Sequence, residues 1–191
     1  MPSLPHTRQA AVLALASAAL AGCLTTTPPA SGRDAGQPTA GAAKVEPCEA
    51  IATLTKSYGN QFADLRRAKR SYNRIDIWST SYQIVGNNCE IWGWQGGHFN
   101  YVCNYVAPDE QSARDIYDRA RNTIRQCLAA EWSLRETTLP GAQDAAAQGS
   151  QAVFKKADFG GVIDLRLLQT RGINTPRWAV YVMIGDYSTQ L

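Results

Sequence analysis

Cys89-Glu90-Ile91-Trp92-Gly93-Trp94-Gln95-Gly96-Gly97-His98-Phe99-Asn100-Tyr101-Val102-Cys103 holds two aromatic and β-branched runs on either side of a Gly-Gly pair. Two such runs joined by a few residues containing glycine form the pattern of an antiparallel hairpin. Successive strand residues point to opposite faces. With the tip centred on Gly96, Cys89 faces Cys103, Ile91 faces Tyr101 and Gly93 faces Phe99, all on one side of the sheet. At non-hydrogen-bonded positions opposed α-carbons come to about 4.5 Å, near the low end of disulfide reach. A long bent strand in place of the 95–98 turn would separate the two cysteines.

Upstream, Ile75 to Val85 is β-branched and aromatic and ends at the turn signal Gly86-Asn87-Asn88, which predicts a further strand of an antiparallel meander. Before it, Pro47 opens a helical pattern in which Cys48, Ile51, Leu54, Tyr58, Phe62 and Leu65 recur every three or four residues. Gly59 weakens its middle, so a kink or early end is expected. Downstream, Pro108-Asp109-Glu110 starts a second helix with acids where the helix dipole favours them. Its apolar face is Ala113, Ile116, Tyr117, Ala120, Ile124, Cys127 and Leu128, and the other face is rich in Arg and Asp. Trp132–Leu139 reads as a short extended segment and 140–150 as a polar loop. Strands are then predicted at Ala152–Lys156, Val162–Gln169 and Arg177–Ile184, with turns at Gly160-Gly161 and Gly172–Pro176. The order helix, strands, helix, strands defines an α+β fold, with two helices packed on a mostly antiparallel β-sheet.

The amino-terminal end reads differently. Arg8 and the terminal amine precede an apolar stretch from Ala10 to Ala21, followed by Leu20-Ala21-Gly22-Cys23. The stretch is too short for a membrane-spanning helix, which takes roughly 20 residues, and has the layout of a secretory signal. Leu20-Ala21-Gly22-Cys23 resembles the lipobox of bacterial lipoproteins. The resemblance implies that residues 1–22 are a signal peptide and that Cys23 becomes an acylated first residue, which anchors the chain to a membrane. Two or three acyl chains hold almost permanently where one does not. In that family an aspartate after the cysteine often retains the protein in the inner membrane. Leu24 stands there instead, so the periplasmic face of the outer membrane is the expected address. Residues 23–45 form the anchor and a Thr/Pro/Ala/Gly tether that cannot bury enough surface to order itself. Residues 46–191 make one globular domain.

With Cys23 acylated, Cys48, Cys89, Cys103 and Cys127 remain. An exported chain with an even cysteine count points to two disulfides, and four cysteines allow three connectivities. No pair has the C-x-x-C spacing that zinc or redox chemistry prefers. The hairpin geometry pairs Cys89 with Cys103. Cys48, on the first turn of helix one, is then left for Cys127, on the last turn of helix two. Antiparallel helices would bring those ends together. A Cys103–Cys127 bridge would instead exclude the hairpin.

Composition narrows the function. A net charge of +3 is too slight for a general nucleic-acid binder. Histidine occurs only at His6 and His98, which argues against a His-based metal centre or a two-histidine catalytic site. His98 at a hairpin tip has no orienting partner in the pattern, the carboxylates are scattered, and the motifs of hydrolases, P-loop proteins and dinucleotide binders are absent. No metal or cofactor is expected. Two surface candidates stand out. Trp92 and Trp94 project to one side, opposite Cys89 and Ile91. If the helices cover the cysteine side, the indoles lie on the open face, ready to stack on a sugar ring or anchor a protein partner. The competing reading buries them under the helices or the 132–150 segment. Arg66, Arg67, Lys69, Arg70 and Arg74 form a basic run where helix one ends. There they complement the helix dipole or meet anionic lipid headgroups or cell-wall acids. The chain is therefore expected to be a non-catalytic binding or envelope-assembly lipoprotein with an envelope-protein or cell-wall partner. The alternatives are an immunity-like protein that caps a toxin and a carboxylate-based envelope hydrolase.

Overall fold

The computed structural model describes residues 45–139, 149–170 and 177–186. The expected leader, acylated Cys23 and most of the tether lie outside the described residues, as do the 140–148 part of the polar loop and the turn at 172–176.

Helix α1, Pro47–Tyr58, has proline in its first turn, and its buried face includes Ala50, Ile51 and Leu54. It stops at Gly59, short of the Leu65 that the apolar spacing allowed. Gln61 and Phe62 take positive φ, and a 3₁₀ turn follows at Ala63–Leu65. The chain reverses here because Phe62 turns inward to become fully buried, while the Ser57 hydroxyl donates to Asp64. Strand β1, Lys69–Tyr72, is then an edge strand exposed throughout. It was not expected: the basic run does not end α1. Arg66 and Arg67 are irregular backbone after the 3₁₀ turn, Lys69 and Arg70 lie on β1, and Arg74 is in the turn that follows. Strand β2 covers Ile75–Ser79 only. The rest of the predicted 75–85 strand is irregular, held where buried Tyr101 donates from its hydroxyl to the carbonyl of Tyr82 at 3.1 Å.

Strands β3, Asn88–Trp94, and β4, His98–Ala107, form the predicted hairpin in the predicted register, with Cys89 opposite Cys103 and Gly93 opposite Phe99. Helix α2, Glu110–Cys127, is capped by Asp109, whose carboxylate accepts from the Ser112 amide at 2.8 Å. Four strands return: β5 (Ser133–Leu139), β6 (Gly149–Lys155), β7 (Val162–Thr170) and β8 (Arg177–Gly185). The eight-stranded sheet has the order β1-β2-β3-β4-β8-β7-β6-β5, and every pairing is antiparallel. The chain thus builds a helix plus a four-strand meander twice, and the two meanders join where β4 meets β8.

Both helices pack on one face, over β4, β7 and β8. That face carries Cys89, Ile91, Tyr101, Ile163, Leu165, Val180, Val182 and Ile184, all in the main core cluster. Two disulfides fasten it. Cys48–Cys127 joins the start of α1 to the end of α2 with α-carbons 4.9 Å apart. Cys89–Cys103 crosses the hairpin at 4.0 Å. The pairing inferred from strand geometry is the one present.

The opposite face has no helix on it, yet its centre is buried. Val102, Ala179 and Met183 are nearly inaccessible there. Beside them Arg166 donates from Nε and Nη2 to Asp164 at 3.0 and 2.7 Å, and Gln151 Nε2 donates to both oxygens of the same carboxylate at 2.9 and 3.0 Å. Asp164 and Arg166 share the face because they stand two apart on β7, and Gln151 is the register partner of Arg166. A buried charge persists only when paired and hydrogen-bonded, as this carboxylate is.

Candidate functional site

Because the cysteine side of β3 faces the helices, Trp92 and Trp94 lie on the helix-free face. Both are half-buried, so the reading that places them beneath the helices does not hold. The rings meet edge to face at 5.6 Å between centroids. Each indole N–H is already committed: Trp92 donates to Glu90 at 3.0 Å and Trp94 to Asn100 at 3.1 Å. What remains for an incoming group is ring surface. Register sets the neighbours. Ile77 and Asn100 flank Trp92, while Ile75 and His98 flank Trp94. On β1, Tyr72 opposes Ile75 and Arg70 opposes Ile77. Tyr72 is 67% exposed, and Arg70 reaches across to Glu90 at 2.7 Å. The result is an aromatic and aliphatic patch rimmed by a salt bridge.

The five cations of the basic run do not form one surface. Lys69 and Arg70 are neighbours on a strand and so point to opposite faces. Lys69 bridges to Asp76 at 2.9 Å on the helix side, and Arg70 joins the tryptophan patch. Arg66 lies between the rings of Trp78 and Phe99, its guanidinium carbon 4.4 and 4.3 Å from their centroids. Burial there lowers its pKa, and it donates from Nη2 to the Gln61 carbonyl at 2.6 Å. Arg67 donates to Ser81 at 3.3 Å, and Arg74 is exposed in the β1–β2 turn. Of the two strand residues in the run, Arg70 is the one that shares the face of the indoles.

The residues that sequence reasoning passed over are Tyr72, Glu90, Asn100 and Asp186. Asp186, just past β8, accepts from the Tyr58 hydroxyl at 2.9 Å and the Phe99 amide at 2.8 Å, and stands 3.7 Å from His98 Nδ1. Its backbone carbonyl accepts from Asn100 Nδ2 at 2.7 Å. His98 therefore has an acidic neighbour that its sequence context did not show. Partners brought from β8 and from the end of α1 leave no mark on local spacing. Among the described residues, no group of three or more His, Cys, Asp or Glu could hold a metal ion, and no helix is long and apolar enough to cross a membrane.

Comparison of the chain with protein-family models, with curated proteins and with solved structures finds no match.

Proposed function

We propose that the protein is a lipid-anchored component of the outer-membrane periplasmic face, and that it binds an envelope partner, protein or cell wall, through the helix-free face of β1–β4. The observation that carries this reading is the Trp92–Trp94 pair. Large aromatics whose polar atoms are satisfied internally and whose ring faces stay half-open are the residues that dominate binding surfaces. The lipobox resemblance at Leu20–Cys23 supplies the anchor.

Two measurements test the reading. Intact-mass analysis of the protein from its own membrane should show loss of residues 1–22 and an acylated Cys23, and Cys23→Ser should release the chain from the membrane. Co-sedimentation with purified cell-wall sacculi, together with chemical crosslinking in intact envelopes, should retain the wild type. It should lose the Trp92→Ala/Trp94→Ala variant, whose circular dichroism is expected to match the wild type. Equal retention of both forms would remove the tryptophan face from the account.

A further inference from the structure

The helix layer is narrower than the sheet. α2 packs on β4, β7 and β8, and the sheet runs on past it through β6 to β5. Strand β5 pairs with β6 on one side and, among the described residues, with no strand on the other. Such an edge presents a row of unpaired backbone N–H and C=O groups. A hollow flanks β5 on each face. On the helix side Leu128, Trp132, Leu134 and Phe154, together with Arg125 and Glu136, line a cavity of about 490 Å³. On the helix-free side the cross-strand pairs Ser133–Lys155, Arg135–Val153 and Thr137–Gln151 line one of about 570 Å³.

We propose that β5 is a docking edge for an extended segment of a partner protein, added as a further strand, whose side chains alternate between apolar toward α2 and acidic on the opposite face. Addition of a strand takes affinity from main-chain hydrogen bonds and specificity from pockets for alternate side chains. The helix-side cavity offers Leu128, Trp132, Leu134 and Phe154 to the apolar set, with Arg125 and Glu136 also in its lining. On the other face Arg135 is exposed and has no ion-pair partner among the described residues. Carboxylates at alternate positions answer that charge. Glu136, the acid on the helix side of β5, is bridged by Arg121 at 3.0 Å, so it does not repel an incoming strand. Charge disfavours a second copy as the occupant. Two-fold pairing of β5 with itself would set both copies' Arg135 and Lys155 on one face, where like charges oppose each other. The site lies at the far end of the sheet from Trp92 and Trp94 and does not depend on them.

The test titrates the full chain into a fluorescently labelled peptide of alternating valine and glutamate and follows anisotropy and amide exchange. The peptide is expected to bind and to protect β5 amides. Arg135→Glu, at an exposed position, should weaken binding about tenfold with circular dichroism unchanged. Trp92→Ala/Trp94→Ala should bind as wild type, which separates this surface from the tryptophan face. Any of four results would overturn the proposal: no binding, equal binding of a valine–lysine peptide, insensitivity to Arg135→Glu, or concentration-dependent protection of β5 without peptide, which would mark a second copy.

Discussion

A β-carbon placed on Gly93 would lie 2.7 Å from Cε1 of Phe99, its register partner across the hairpin. Trp78 crowds the same point at 3.0 Å, so the space a side chain would fill is taken by two rings 6.1 Å apart. Those rings are the ones that hold the Arg66 guanidinium. Gly93→Ala is therefore expected to destabilise the domain by about 1–3 kcal/mol through overpacking. Urea titration measures it, and an unchanged midpoint would mean that the rings move aside.

Non-reducing peptide mapping should recover Cys48–Cys127 and Cys89–Cys103 as linked peptides. In the chain-entropy account, the bridge with 79 residues of separation contributes about 4–5 kcal/mol and the one with 14 about 3 kcal/mol. Removing both cysteines of the helix pair should thus lower stability more than removing both of the hairpin pair.

Asp164 is expected to be the most sensitive polar residue on the helix-free face. Asp164→Ala leaves Arg166 and Gln151 buried without the carboxylate that organises them, at a cost of about 3–5 kcal/mol. Thermal unfolding reads this directly. A loss within the range of ordinary surface substitutions would show that water reaches the site.

Alkaline pH should weaken the fold in a defined window. The Tyr58 hydroxyl is pushed up to about 12, first by burial and then by its bond to Asp186. Burial likewise raises Tyr117 to about 12. In the unfolded chain these groups ionise near 10. The folded state holds their protons more tightly, so their contribution is complete below pH 10 and is lost as pH climbs toward 12. Urea midpoints measured across that interval should fall, and the fall should be shallower in Tyr58→Phe.

The parts of the fold that sequence revealed are those with local periodicity. The hairpin register, the two helix starts and the strand after Val162 follow from alternation, caps and glycine pairs. The failures have a common origin in tertiary contacts. Helical spacing continued to Leu65, but Phe62 reaches the core only when the chain reverses at Gly59–Phe62. Lys69–Tyr72 carries too much charge to look like a strand, and it forms one because β2 offers a free edge on which every side chain stays exposed. The candidate site was half visible. Alternation put Trp92 and Trp94 on one side, but which side faces the helices depends on packing. Tyr72 and Arg70 reach the patch through a strand that the sequence did not announce, and Asp186 through the pairing of β4 with the distant β8.

The most direct test replaces Tyr72, the most exposed large hydrophobic residue among those described, with a photoreactive phenylalanine analogue. The same analogue at exposed Arg119 on α2 serves as the control, and both proteins are irradiated in intact envelopes. A docking face on β1–β4 predicts a discrete crosslinked adduct from position 72 that disappears in the Trp92→Ala/Trp94→Ala background, and none from position 119. An adduct of equal strength from position 119, or one at position 72 that survives loss of both indoles, would contradict it.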